Sequence, residues 1–325
     1  MKICMLSDFF YPNVGGVETH IYALSQCLIA LGHRVIVVTR DRKELGITGV
    51  RYFAGPLKVY YLPAAALPIG IVKPSMVSTL GVLIRNILLR EGVEVMHGHQ
   101  KTSLLVIIAV MVCRMAGVPV VLTQHSLIEF NDLGSVELNR VYLFLNLIIT
   151  HTVCVSNAVR ENVLLAAPDH PAATSVIPNA LDATLFSPQR VSRTDGEVRI
   201  VVLSRLTFRK GSDLLLEIIP VLCRRFAEVR FLIRGEGPKR HILEELVEMY
   251  GLGGQVSIAG YCHREEVPAF YALGDIFLNT SISESFCMAI LEAAACGLYV
   301  VTTDVGGIPE ILPPGRLSLS PCTSE

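Results

Sequence analysis

Short runs that are apolar at almost every position recur along this chain of 325 residues, each followed by a turn and then by a stretch of helical character. Residues 3–6, 34–39, 94–97, 119–123 and 152–155 read as such strands in the first half. A strand that is apolar without alternation has both faces covered, the situation in parallel sheets flanked by helices. Strand and helix taking turns through so long a unit predict a doubly wound α/β domain. The same alternation resumes at residues 198–203, 229–233, 275–279 and 298–302, after a polar stretch containing Pro188 and Gly196. The expected organisation is a Rossmann-like unit at 1–182, a linker at 183–197 and a second Rossmann-like unit at 198–325.

Composition removes several classes of function. With 51 % hydrophobic residues and a net charge of −1, the chain lacks the concentrated basic surface of a nucleic-acid binder. Its nine cysteines are scattered, odd in number and without a Cys-x-x-Cys, so they read as small buried hydrophobes. The longest clean apolar run, 104–113, is far short of the about 20 residues that cross a bilayer. A strand directly at the N-terminus leaves no room for a leader. The chain is therefore expected not to be transmembrane itself.

The chemistry concentrates in residues 279–295. Between Phe286 and Cys296 only Glu292 is not apolar. A buried helix is expected there, with Ser283 and Ser285 as capping candidates and Gly297 as its stop. A lone carboxylate in such surroundings needs partners. Glu284 lies eight residues earlier, about 12 Å away if both are helical. That exceeds the roughly 5–9.5 Å of a glycosidase acid/base pair, but suits the two ends of one long, hydroxyl-rich ligand. The alternative is a satisfied core carboxylate and a solvated cap.

Other residue sets fall at strand ends, where doubly wound folds bind ligands. Gly15 and Gly16 sit between the first strand and a helix expected at 17–31, so freed amides there can face an anion, or simply form a tight turn. His97, His99 and His125 follow strands; His125 fits a neutral hydrogen-bonder to a hydroxyl, or a core histidine. The absence of Asp-x-Asp and of His-Glu-x-x-His argues against a metal site, and no Gly-x-Gly-x-x-Gly supports a dinucleotide. In the second half Arg205 and Lys210 flank a loop after residues 198–203, where a pyrophosphate is normally held. Arg209 reads as solvated. Gly235 opens a further glycine loop that suits close approach of a nucleotide.

The ordered set Ser204-Arg205, Lys210-Gly211, Gly235-Glu236-Gly237-Pro238, Glu284-x7-Glu292 and Gly306-Gly307, with Gly15-Gly16 and His125 upstream, resembles the retaining nucleotide-sugar glycosyltransferases of family 4. The resemblance spans residues 1 to about 312. It implies the GT-B fold, two Rossmann-like domains facing across a cleft. It also implies that Glu284 contacts the donor sugar, Glu292 the ribose, Arg205 and Lys210 the diphosphate, and His125 the sugar. Gly15, Gly16 and His20 would lie on the acceptor side, Gly16 also near the donor. Transfer would be front-face, with no protein nucleophile, cofactor or metal. The runs at 9–20, 235–240 and 279–290 look most like those members that move GlcNAc from UDP-GlcNAc to phosphatidylinositol in glycosylphosphatidylinositol-anchor synthesis. That implies partner subunits and the cytoplasmic face of the endoplasmic reticulum. A phosphatidylinositol mannosyltransferase and an inactive nucleotide-sugar-binding isoform are the alternatives.

Two segments remain. Residues 55–89 are apolar, broken by Pro56, Pro63, Pro68 and Pro74, and carry Lys58, Lys73 and Arg85. They read either as a membrane-surface element or as ordinary core and helix. At the C-terminus Pro313 and Pro314 stop the helix that Pro309 would begin. The residues after them show little apolar periodicity and depart from the family, so the second domain is expected to be incomplete and an apolar face of its sheet uncovered.

Overall fold

The computed structural model describes residues 1–11, 15–53, 55–64, 74–127, 133–167, 173–189, 196–313 and 315–320. Residues 12–14 of the first loop, 65–73 of the proline-broken segment (with Lys73), 190–195 of the expected linker, and 321–325 lie outside them. The chain divides into two compact units, Met1–Pro178 and Asn179–Glu325.

The first unit carries an eight-stranded sheet. Its strands are β1 (Lys2–Leu6), β2 (Arg34–Arg40), β3 (Gly49–Phe53), β4 (Leu57–Leu62), β5 (Val95–His99), β6 (Val120–Gln124), β7 (His151–Cys154) and β8 (Thr174–Val176), ordered β3-β4-β2-β1-β5-β6-β7-β8. Every pairing is parallel except β3 with β4. Helices α1 (Gly16–Ala30), α2 (Pro74–Glu91), α3 (Leu104–Ala116), α4 (Leu133–Asn146) and α5 (Asn157–Ala166) separate them. The central residues Cys4, Met5, Leu6, Val37 and Val38 are fully buried, as expected of strands covered on both faces. The order reverses between β1 and β5, so the ends of those strands open on one crevice.

Within the segment at 55–89, the described residues include ordinary core and helix. Residues 57–62 are a buried strand of the sheet, and α2 packs on α3. Lys58 is 2.6 Å from Glu91, which also accepts from the Tyr60 hydroxyl, so this cation is committed inside the fold. Arg85, with Val82 and Leu89, is on the exposed side of α2.

The second unit carries β9 (Val198–Leu203), β10 (Val229–Arg234), β11 (Val256–Ala259), β12 (Ile276–Asn279), β13 (Tyr299–Thr303) and β14 (Leu317–Ser320), all parallel, ordered β11-β10-β9-β12-β13-β14. Its helices are α6 (Ser212–Arg225), α7 (Arg240–Met249), α8 (Val267–Tyr271) and α9 (Met288–Ala295). One core, around Phe231, Leu215, Ile219 and Leu243, lies under α6 and α7; another, around Tyr271, Phe277 and Ile290, lies under α8 and α9. Right-handed crossovers account for the division: chain moving from β9 to β11 covers one face, and chain returning to β12 and β13 covers the other. The first face then has a helix beside β9 but an open apolar groove of about 950 Å³ over β12 and β13, lined by Ile200, Ile218, Val221, Leu278 and Val301.

The tail differs from expectation. Residues 317–320 form a sixth strand on β13, because backbone pairing to a sheet edge needs little side-chain burial; Leu319 stays 41 % exposed. The start at Pro309 is only a 3-10 turn, Ile308–Glu310.

Candidate functional site

In the second unit two loops leave adjacent strands β9 and β12 and are stitched together. Ile282 N donates to Arg209 O at 3.1 Å, and Thr280 Oγ1 donates to Lys210 O at 3.0 Å. Gly211, with φ +66°, lets the chain turn between Lys210 and α6, and a methyl there would overlap the Thr280 carbonyl. The stitch carries the Lys210 ammonium onto the Glu284 carboxylate, which also accepts from Ser281 Oγ at 2.9 Å. Glu284 is 9 % exposed, so this is a nearly buried pair. Gly307 N donates to the Glu284 carbonyl at 2.9 Å, bringing the glycine turn after β13 to the same place. Arg205 is exposed at the mouth of the first loop and has no ion pair among the described residues. Arg209, read as solvated, does reach Ser283 Oγ at 3.4 Å.

The helix is shorter than the apolar run implied. It starts at Met288 with Cys287 in the capping position, and no side chain caps it. Ser283 and Ser285 precede it by several residues because residues 280–286 are held as a loop by Ser281, Asn279 and Lys210. Glu284 is therefore not helical, and a helical rise does not set its separation from Glu292. Glu292 is buried in α9 with Arg264 as its charged neighbour at 3.5 Å. Burial pushes its carboxyl up to about 7, and the guanidinium partly opposes the rise. Gly235 is at φ +152°, and a side chain there would overlap the Ser204 carbonyl. Loop-on-loop packing is thus a sufficient reason for glycine at 235, whatever approaches it.

The first unit gathers the histidines. His99 Nδ1 is 3.1 Å from His125 Nε2, the His20 ring lies 4.7 Å from that of His125, and His97 Nε2 is 2.7 Å from Thr123 Oγ1. Burial, together with the neighbouring imidazoles, holds His99 and His125 well below the ordinary histidine range, and His97 falls to about 4. All three are neutral near pH 7. Ring nitrogens of His20, His99 and His125 lie within 4.8 Å of one another. One proton between His99 Nδ1 and His125 Nε2 satisfies the nearest pair, while His99 Nε2 is buried without a hydrogen-bond partner among the described residues, so the three rings could also hold a metal ion. Gly15 precedes α1, and the Glu18 carboxylate turns back against it, so a protein anion already sits at the helix start where Gly16 was expected to offer its amide.

Sequence reasoning missed Asp8, Ser281 and Arg264. Asp8 accepts from Leu104 N and Leu105 N at 2.8 and 3.2 Å, capping α3 from the loop after β1. A polar residue just after a buried strand was the available signal. Nothing in the sequence tied Arg264 to Glu292.

Two Rossmann-like units in one chain define the class: a glycosyltransferase of the GT-B fold. Residues 14–185 match the model of Glycosyltransferase Family 4, and residues 186–319 that of Glycosyl transferases group 1. The chain belongs to glycosyltransferase family 4. It is 45 % identical over 98 % of its length to a phosphatidylinositol N-acetylglucosaminyltransferase subunit of Arabidopsis thaliana, and 47 % identical over 98 % to the corresponding subunit of Homo sapiens. It spans 71 % and 65 % of those two proteins. Among solved structures, a glycosyltransferase of Rickettsia africae matches with a TM-score of 0.78 at 20 % identity, covering 98 % of this chain and 84 % of that one. A UDP complex of HepE from Anabaena matches with a TM-score of 0.75 at 20 % identity, covering 99 % and 86 %.

Proposed function

We propose that the chain carries the transfer chemistry of a UDP-GlcNAc:phosphatidylinositol N-acetylglucosaminyltransferase, the step that opens glycosylphosphatidylinositol-anchor synthesis. The observation that carries this reading is the stitched pair of loops that presents Lys210, Arg205 and Glu284 at the strand ends of the second unit, in a chain 47 % identical to a relative of that name. Arg205 and Lys210 take the diphosphate. As the glycosidic bond breaks, negative charge grows on the leaving β-phosphate, and losing one such donor costs about 10²–10³ in rate. Lys210 is pre-positioned by Glu284 and turns from it toward the phosphate as the donor enters. Glu284 then accepts from sugar hydroxyls, and Glu292 from the ribose diol, for which its ionised form is required.

On the acceptor side a leaving-group phosphate oxygen takes the proton of the inositol hydroxyl. Attack on the same face retains the anomeric configuration, and neutral His125 steadies a sugar hydroxyl. Gly15, Gly16 and His20 line the acceptor side. The relatives are named as subunits, which supports assembly with partner subunits, and a lipid acceptor supports work at a membrane, here the cytoplasmic face of the endoplasmic reticulum. The test is turnover by the purified chain, with its partner subunits added, across UDP-GlcNAc, UDP-glucose and GDP-mannose with phosphatidylinositol vesicles. GlcNAc-specific product with retained configuration, unaffected by EDTA, is expected. Transfer from GDP-mannose alone, or loss of activity in EDTA, overturns the reading.

A further inference from the structure

Gln100 is the one non-glycine residue at positive φ among the described residues, at +75° in the left-handed region. A side chain is disfavoured there by about 1 kcal/mol or more, and such strain persists only where surrounding structure over-determines it. Gln100 follows β5 directly and is 6 % exposed. Its backbone is fixed from both sides: Gln100 N donates to Thr123 O at 2.9 Å, and Ser103 N donates to Gln100 O at 3.2 Å.

The side chain explains what the strain achieves. Gln100 Oε1 accepts from His125 N at 3.1 Å. Reciprocally, Gln124 Oε1, on the residue before His125, accepts from Lys101 N at 3.3 Å. Two glutamines, 1 % and 6 % exposed, thus clasp the loops after β5 and β6 across the gap between neighbouring strands. The clasp fixes the backbone of His125, and the His125 ring meets His99 at the last residue of β5. A left-handed Gln100 turns the chain back so that its amide reaches the neighbouring loop.

We propose that Gln100 is a positioning residue, whose left-handed backbone and side-chain carbonyl hold His125 at the strand ends. The proposal rests on the reading of His125 above for its effect on transfer, but not for its effect on structure. Glycine at 100 relieves the backbone penalty and deletes the clasp; methionine keeps the length and the strain but cannot accept the amide.

Gln100→Gly and Gln100→Met are compared with wild type in two measurements. The first is the long-range proton–nitrogen NMR spectrum of the histidine rings, with His125 assigned by its loss in His125→Ala. The second is kcat and KM for UDP-GlcNAc together with the thermal midpoint. In both variants the His125 ring signals shift and kcat falls about tenfold or more, because misplacement near 1 Å costs up to about 100-fold. The midpoint falls less in Gln100→Gly, where relief of the backbone offsets part of the lost hydrogen bond, than in Gln100→Met. Unmoved His125 signals in Gln100→Gly overturn the clasp, whatever reaction the protein catalyses. Shifted signals with wild-type kcat, or turnover that merely tracks the midpoint, overturn the positioning role. If the wild-type chain transfers no sugar, the functional reading fails while the ring spectrum still decides the clasp.

Discussion

Glu292→Gln gives a pH-dependent gain in stability whose size follows from the structure. The carboxyl of Glu292 is pushed up to about 7 by burial, against an ordinary value of 4.5. A raised folded-state value means that the group contributes stability fully present below the unfolded value and lost as pH rises through the folded one. Each unit of difference is worth about 1.36 kcal/mol. At pH 5 the carboxyl is protonated in the folded state and mostly ionised in the unfolded chain, a contribution on the order of 1 kcal/mol lost relative to low pH. By pH 8 the loss has grown to roughly 3 kcal/mol. Glutamine does not titrate, so Glu292→Gln stabilises the second unit by roughly 2 kcal/mol more at pH 8 than at pH 5. Replacing the ion pair with Arg264 by a neutral contact adds a constant offset, which this difference of differences removes. The assay is urea denaturation at both pH values, the transition of residues 179–320 being followed by proteolysis because two units need not unfold together. An equal effect at the two pH values refutes the reasoning. The same variant should lose UDP affinity, so a carboxylate that weakens the fold at neutral pH would be kept for the ligand.

Three further outcomes are expected. Gly211→Ala places a methyl on the Thr280 carbonyl at φ +66° and should lower stability by about 3 kcal/mol or more, read as a fall in the thermal midpoint; an unchanged midpoint contradicts the packing account. Arg205→Ala and Lys210→Ala should each weaken UDP binding by about 10-fold or more in calorimetry. Lys210→Ala should also destabilise, because it leaves Glu284 nearly buried without its cation, whereas exposed Arg205 should not. Arg85→Glu should reduce association with anionic vesicles, while Lys58→Glu should instead loosen β4 by setting two carboxylates together, seen as a lower midpoint.

The strand–helix alternation made both units legible because covered parallel strands have no polar face to blur them. Val37, Val201 and Phe277 are apolar for the same reason they are buried. The tail strand 317–320 escaped notice because edge pairing is a backbone property and leaves almost no side-chain pattern. At the site, residue types and order gave Lys210, Arg205, Glu284 and Glu292 as candidates, and the carboxylate at 292 declared itself by its apolar neighbours. The sequence overran the helix at its start. Apolar residues at 286 and 287 satisfy a burial pattern equally well in a loop, and only Ser281, Asn279 and Lys210 hold it as one.

What the sequence determined by itself was therefore local and periodic: two α/β units, their strand ends, and the charged or small residues placed there. The tertiary structure alone decided the pairings between distant positions, 74 residues apart for Lys210 and Glu284 and 25 for His125 and Gln100. Such contacts depend on which strands become neighbours, and strand order is set by crossover handedness and packing of the whole unit. Protonation state falls on the same side of the divide. Histidine and glutamate have ordinary values in the chain, and become a neutral cluster and a carboxyl near pH 7 only when folding removes their water.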